Sequence, residues 1–215
     1  MKLQMENRTP QNRQFDQGRP RVQTLKSFRF TLPVVVLAFL FCSAVQAATF
    51  HVTTTVDNNN NANPTPGSLR KAILDANNTP GNDTIDFNIP GAGVHTLTVT
   101  VSLPAISDPV VIDGYTQPGA SANTMANGDN RVLLIQLTGK NTAPRDGLVI
   151  TAGSSTVKGL IINGFVGFSF DGSAILLTGK GQNVIAGNFI GTDPNGTARH
   201  RGTFDGPSAV RRMRN

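Results

Sequence analysis

Leu148-Val149-Ile150-Thr151 returns 27 residues on as Ile175-Leu176-Leu177-Thr178. Gly159-Leu160-Ile161-Ile162 returns 28 residues on as Gly187-Asn188-Phe189-Ile190. These two echoes decide the fold. Self-similarity at a period of about 20–50 residues marks stacked repeats, in which one unit cannot bury its apolar side alone. A coil of this length suits a right-handed parallel β-helix with two or three strands per turn. Neighbouring coils then lie about 4.8 Å apart, and Val, Ile and Leu form ladders facing inward.

Outward from the repeats, short apolar or alternating runs are separated by Gly, Asn, Asp and Pro: Thr84–Ile89, Thr96–Val101, Val110–Ile112, Val132–Leu137, Leu148–Thr151, Val157–Ile162, Ile175–Thr178 and Val184–Ile190. Such runs read as strands of an all-β protein. A further β-branched, alternating strand is predicted over Thr49–Val56. One helix is expected. Ser68 is a good N-cap, and Leu69, Ala72, Ile73 and Ala76 share one apolar face. Asn77-Asn78, then Pro80-Gly81, end it. The helix is expected to cap the open N-terminal end of the stack.

The chain has 215 residues, of which only 15% are charged, against about 25% in ordinary soluble domains. Its 38% hydrophobic residues and 22 glycines argue against disorder and against a polytopic membrane protein. The net charge of +6 is carried outside the expected fold. Residues 1–47 hold seven Lys/Arg and two acids, and residues 199–215 hold five Arg and one Asp; residues 48–198 hold seven basic and ten acidic residues. A nucleic-acid binder would concentrate positive charge on its folded module. This chain does the reverse, so no nucleic-acid partner is expected.

Lys26 and Arg29 precede the apolar run Leu32–Phe41, and small residues lead to Val45-Gln46-Ala47. That is the pattern of a secretory signal peptide, cleaved after Ala47. The run is too short to span a membrane, so membrane contact is expected only through the leader before cleavage. Bulky Phe39-Leu40-Phe41 argue against lipidation of Cys42, the single cysteine. The polar residues ahead of Lys26 suggest a start site near Val22 or Leu25.

Four stretches resemble a class of bacterial exported β-helix proteins, the CSLREA type, akin to polymorphic outer-membrane and adhesin-like proteins. They are Ser68-Leu69-Arg70 with Ala72-Ile73 and Ala76-Asn77; Asp83-Thr84-Ile85 with Phe87 and Ile89-Pro90-Gly91; Leu103-Pro104, Ile106 and Pro109-Val110 through Ile112-Asp113-Gly114-Tyr115-Thr116-Gln117-Pro118-Gly119; and Asn183, Ile185, Gly187-Asn188, Ile190-Gly191-Thr192-Asp193 and Gly196. The resemblance covers about residues 49–197 and implies an exported or surface-attached protein, often without catalytic activity. Gly67 stands where the motif has Cys. The expected organisation is an extension and leader (1–47), a cap of strand plus helix (48–80), β-helix coils (81–198) and a disordered or aberrant basic tail (199–215). The abrupt change of composition there suggests a truncated longer protein.

No residue is assigned a catalytic, cofactor or metal role. The acids of residues 48–198 are all Asp. Asp83 and Asp86 should face opposite ways if both lie in one strand. Asp113, Asp146, Asp171 and Asp193 read as turn residues. Lys158 and Lys180 have no acidic neighbour at i±2. His51, His95 and His200 are isolated, so a solvent-facing histidine outweighs a ligand. Gly139-Lys140 and Gly179-Lys180 lack the phosphate-loop frame. The expected function is a non-enzymatic secreted or cell-surface β-helix protein, the N-terminal part of an adhesin-like or structural protein, with glycans or surface proteins as partners. The alternative is a polysaccharide lyase or glycoside hydrolase on the same scaffold, with carboxylates paired across coils.

Overall fold

Alternating apolar residues set strands such as Asp83–Phe87, His95–Val99 and Val110–Asp113, and glycines turn the chain at some of the corners between strands. The computed structural model describes residues 46–139, 146–165, 172–199 and 210–212, all within the compact unit Ala44–Asn215. The expected leader up to Val45, Lys140, Asp171 and His200 lie outside the described residues.

In chain order the elements are β1 (Thr49–Val52), α1 (Leu69–Asn78), β2 (Asp83–Phe87), β3 (His95–Val99), β4 (Val110–Asp113), a 3₁₀ turn (Gly114–Thr116), β5 (Ile135–Gly139), β6 (Asp146–Ile150), β7 (Thr156–Lys158), β8 (Leu160–Asn163), β9 (Ser173–Leu177), β10 (Val184–Ala186), β11 (Phe189–Ile190) and β12 (Val210–Arg212). The fold is all-β with this one helix. Three sheets form, ordered β1-β2-β4-β7-β10, β11-β8-β5-β3 and β12-β9-β6. All pairings between these strands are parallel. From β4 onward the chain visits the sheets in a fixed order, adding one strand to each before returning to the first. The earlier circuit runs through β2 and β3 and reaches the third sheet as the single parallel bridge Ile106↔Ile150.

Register places like on like. Phe50, Ile85, Ile112, Val157 and Ile185 form one row across the five-stranded sheet. Leu97, Leu137, Ile162 and Ile190 form a second, and Ile106, Ile150 and Leu177 a third. These rows meet in one hydrophobic core, where each fully buried aliphatic contributes about 1.5–3 kcal/mol. Both sequence echoes are direct neighbours: Leu148 pairs with Ile175, and Ile161 with Phe189.

Two single strands expected over 157–162 and 184–190 are each a pair of strands. The chain turns from the first sheet to the second between β7 and β8 at Gly159, and between β10 and β11 at Gly187. Their φ values of +74° and +65° are ones that side chains strain to adopt. The strand expected over 49–56 ends at Val52, because Thr53 and Thr54 N–H both donate to Gly67 O. A side chain at Gly67 would be strained by its φ of +74° and would have to displace Thr53 Oγ1, 2.3 Å from its Cβ. Val210–Arg212 pairs with β9, and Arg199 bridges Thr192.

α1 begins as the sequence predicts. Ser68 Oγ accepts the Lys71 N–H at 3.2 Å, and Leu69, Ala72, Ile73 and Ala76 are buried. The helix packs against β1 and β2. Arg70, on its first turn, is also buried.

Candidate functional site: a polar row on the five-stranded sheet

Residues between the inward ones of the first sheet point outward. They form two rows, Thr49, Thr84, Val111, Thr156 and Val184, and beside it His51, Asp86, Asp113, Lys158 and Ala186. With strands about 4.8 Å apart, the charged part of the second row spans about 14 Å.

The row is internally bonded. His51 Nδ1 lies 2.6 Å from Asp86 Oδ1. Lys158 Nζ lies 2.9 Å from Asp113 Oδ2. Asp113 Oδ1 accepts the Tyr115 N–H at 3.0 Å, which starts the 3₁₀ turn. Thr116 Oγ1 donates to Asp113 O at 2.7 Å and accepts the Phe87 N–H at 2.8 Å, tying that turn back to β2. Both Asp113 oxygens are therefore committed. The side chains of His51 and Lys158 remain 63% and 39% exposed, so these two contacts each contribute at most about 1 kcal/mol. Their chemistry is that of recognition: carboxylate acceptors, an ammonium, an imidazole and flanking threonine hydroxyls, set in line on an open surface.

Carboxylates on adjacent strands come near the spacing used in glycoside hydrolysis. Asp86 and Asp113 are such neighbours, yet they lie on a sheet face instead of in a cleft. Two cavities found elsewhere among the described residues are small. One of about 80 Å³ is lined by Leu177–Asn183, and one of about 10 Å³ lies beside Arg70, Leu97 and Leu137. Small-molecule sites are usually about 300–1,000 Å³. Among the described residues, no group of three or more His, Cys, Asp or Glu is placed to hold a metal ion.

The other residues weighed in the sequence are dispersed. Asp83 is buried and Asp86 half-buried on the opposite side of β2, as alternation requires. Asp193 caps a turn, accepting the N–H groups of Thr197 and Ala198. Asp146 is no turn residue: it opens β6 and accepts the Ser173 N–H of the next circuit at 2.9 Å. His95 is half-buried, its Nε2 sealed from solvent without a partner among the described residues. Lys180 borders the larger cavity.

Sequence reasoning missed the Asp113–Lys158 pair because these residues share a row, not a local spacing. The insertion after β4 separates their strands, as it does Val110 and Ser155, whose hydrogen bond spans 45 residues. It also missed Arg70, for which the charged position on an apolar helix face was the available signal. No model of a known protein family matches the chain, and no curated protein matches it.

Proposed function

We propose that residues 81–198 wind as a right-handed parallel β-helix of the CSLREA type, and that the protein is exported and non-enzymatic, using its five-stranded face to bind glycans. The cyclic order of the three parallel sheets supports the winding, with neighbours 27 and 28 residues apart at Asp146–Ser173 and Leu160–Asn188. Right-handed crossovers are the strong general preference for parallel strands. The row His51–Asp86–Asp113–Lys158 carries the binding reading. It presents donors and acceptors at regular intervals on an accessible surface, which suits a ligand bearing repeated hydroxyl groups.

A glycan array probed with the purified protein tests this. Asp86→Ala combined with Lys158→Ala is expected to abolish retained glycan signals while moving the melting temperature little. Unchanged binding would remove the row from the proposal. The same preparation, incubated with acidic and neutral polysaccharides, is expected to release no reducing ends or unsaturated products. Turnover that disappears in Asp113→Ala would establish an enzyme instead.

A further inference from the structure

Asp83 is a buried acid that the fold itself leaves incomplete. It opens β2, is 0% exposed, and its Oδ2 is sealed from solvent without a partner among the described residues. Its Oδ1 accepts one bond, from the backbone N–H of Ala48 at 2.8 Å. Ala48 is held on its other side as well, since its carbonyl accepts the Thr84 N–H at 2.8 Å. The register of β1 on β2 therefore fixes the Ala48 nitrogen beside the carboxylate. A buried carboxylate served by one neutral N–H is poorly compensated. Gln46 and Ala47, just ahead, are exposed.

We infer that Asp83 is the receptor for a new N-terminus: hydrolysis of the Ala47–Ala48 bond converts the Ala48 N–H into an α-ammonium that forms an ion pair with Asp83 and completes the cap. This rests on the export reading above, in which the leader is removed after Ala47. The step is a peptide hydrolysis by the endopeptidase of the export route. Water gives its hydroxyl to the Ala47 carbonyl carbon and a proton to the Ala48 nitrogen. At neutral pH the new acid's proton passes to the amine, leaving a carboxylate on the departing leader and an ammonium on the mature chain. That ammonium has three N–H donors where the peptide had one, enough to reach both Asp83 oxygens. Processing thereby removes the leader and supplies the counter-charge that the first circuit lacks.

Two measurements separate this inference from the reading beneath it. The intact mass of the protein recovered after export should correspond to a chain beginning at Ala48. Any other first residue overturns the maturation step, and an uncleaved chain overturns export with it. Independently, the chain from Ala48 to Asn215 is prepared with a free and with an acetylated α-amine. Acetylation keeps an N–H but removes the charge, and should lower the melting temperature by about 5 °C or more. In Asp83→Asn, which keeps an acceptor, the two forms should melt together. Equal melting of the two wild-type forms would sink the ion pair even where cleavage occurs after Ala47. Should Asp83→Asn fail to fold, the rate of reductive methylation of the wild-type α-amine decides: well below that of an unstructured peptide supports the pair, and an equal rate refutes it.

Discussion

The Tyr115 hydroxyl donates to the Gly187 carbonyl at 2.8 Å across 72 residues of chain, and on the way its ring occupies the space a side chain at Gly159 would need. A Cβ on Gly159 would lie 2.7 Å from Tyr115 N and 2.9 Å from its ring. Burial raises the Tyr115 pKa above that of a free phenol, the nearby Arg131 opposing it. One side chain thus joins the corners of successive circuits. Tyr115→Phe keeps the ring and loses the bond, so the expected cost is about 1 kcal/mol, or about 2–4 °C in melting temperature. Gly159→Ala meets both a left-handed φ and a backbone clash, and should cost about 2 kcal/mol or more. Calorimetry of the two variants checks the order.

Arg70 ties three separate stretches of the chain together. Its side chain is 1% exposed. Nε and Nη2 bind the Asp57 carboxylate, Nη1 reaches Asn61 Oδ1, and Nη1 and Nη2 donate to the carbonyls of Ser102 and Val101. The guanidinium fork joins the asparagine-rich loop to the segment after β3. Lysine cannot match that geometry. Arg70→Ala should cost about 3–5 kcal/mol, since it strands the Asp57 carboxylate, and Arg70→Lys less, since the ammonium keeps the charge and loses only the fork. The expected readout is a lower urea midpoint with an unchanged slope.

Asn183 and Asn188 flank β10 and repair the backbone of the circuit below. Asn188 Oδ1 accepts the Leu160 N–H at 2.9 Å, and its Nδ2 donates to Val157 O at 2.8 Å. Asn183 does the same for Ser155 N–H and Ala152 O. Asn188→Ala should leave both corner groups unpaired and cost about 1–3 kcal/mol. Asn188→Asp keeps the acceptor and should cost less at low pH, where the protonated acid can again donate. Urea titrations at pH 3 and pH 7 measure the difference; equal losses at both would refute the bidentate role.

The core was legible because its period is unbroken where the circuits are shortest. Leu148 over Ile175 and Ile161 over Phe189 follow from matching strings alone. Helix α1 was legible from its cap and apolar face. The corners were not. Val157–Ile162 reads as one apolar run, and only the positive φ of Gly159 shows that it bends into two sheets. The polar row was hidden for a related reason. The insertion between β4 and β5 removes any constant spacing between Asp113 and Lys158, while Ala48 and Asp83 meet only through the parallel register of β1 on β2.

Asp193 supplies a pH test confined to one turn. Its carboxylate is held below the ordinary value first by the Ala198 backbone N–H, opposed by desolvation and helped by Thr197 and Asn195. Because the folded value is depressed, the stabilisation is present above the unfolded carboxylate pKa of about 3.9 and is lost as pH falls through the lower folded value. Thr197, whose N–H and hydroxyl both bond to this carboxylate, is the reporter. Its amide resonance should titrate with a midpoint below that of an unfolded aspartate, and Asp193→Asn should flatten the titration. A midpoint at or above the unfolded value would mean that the turn's N–H groups do not stabilise the ionised form.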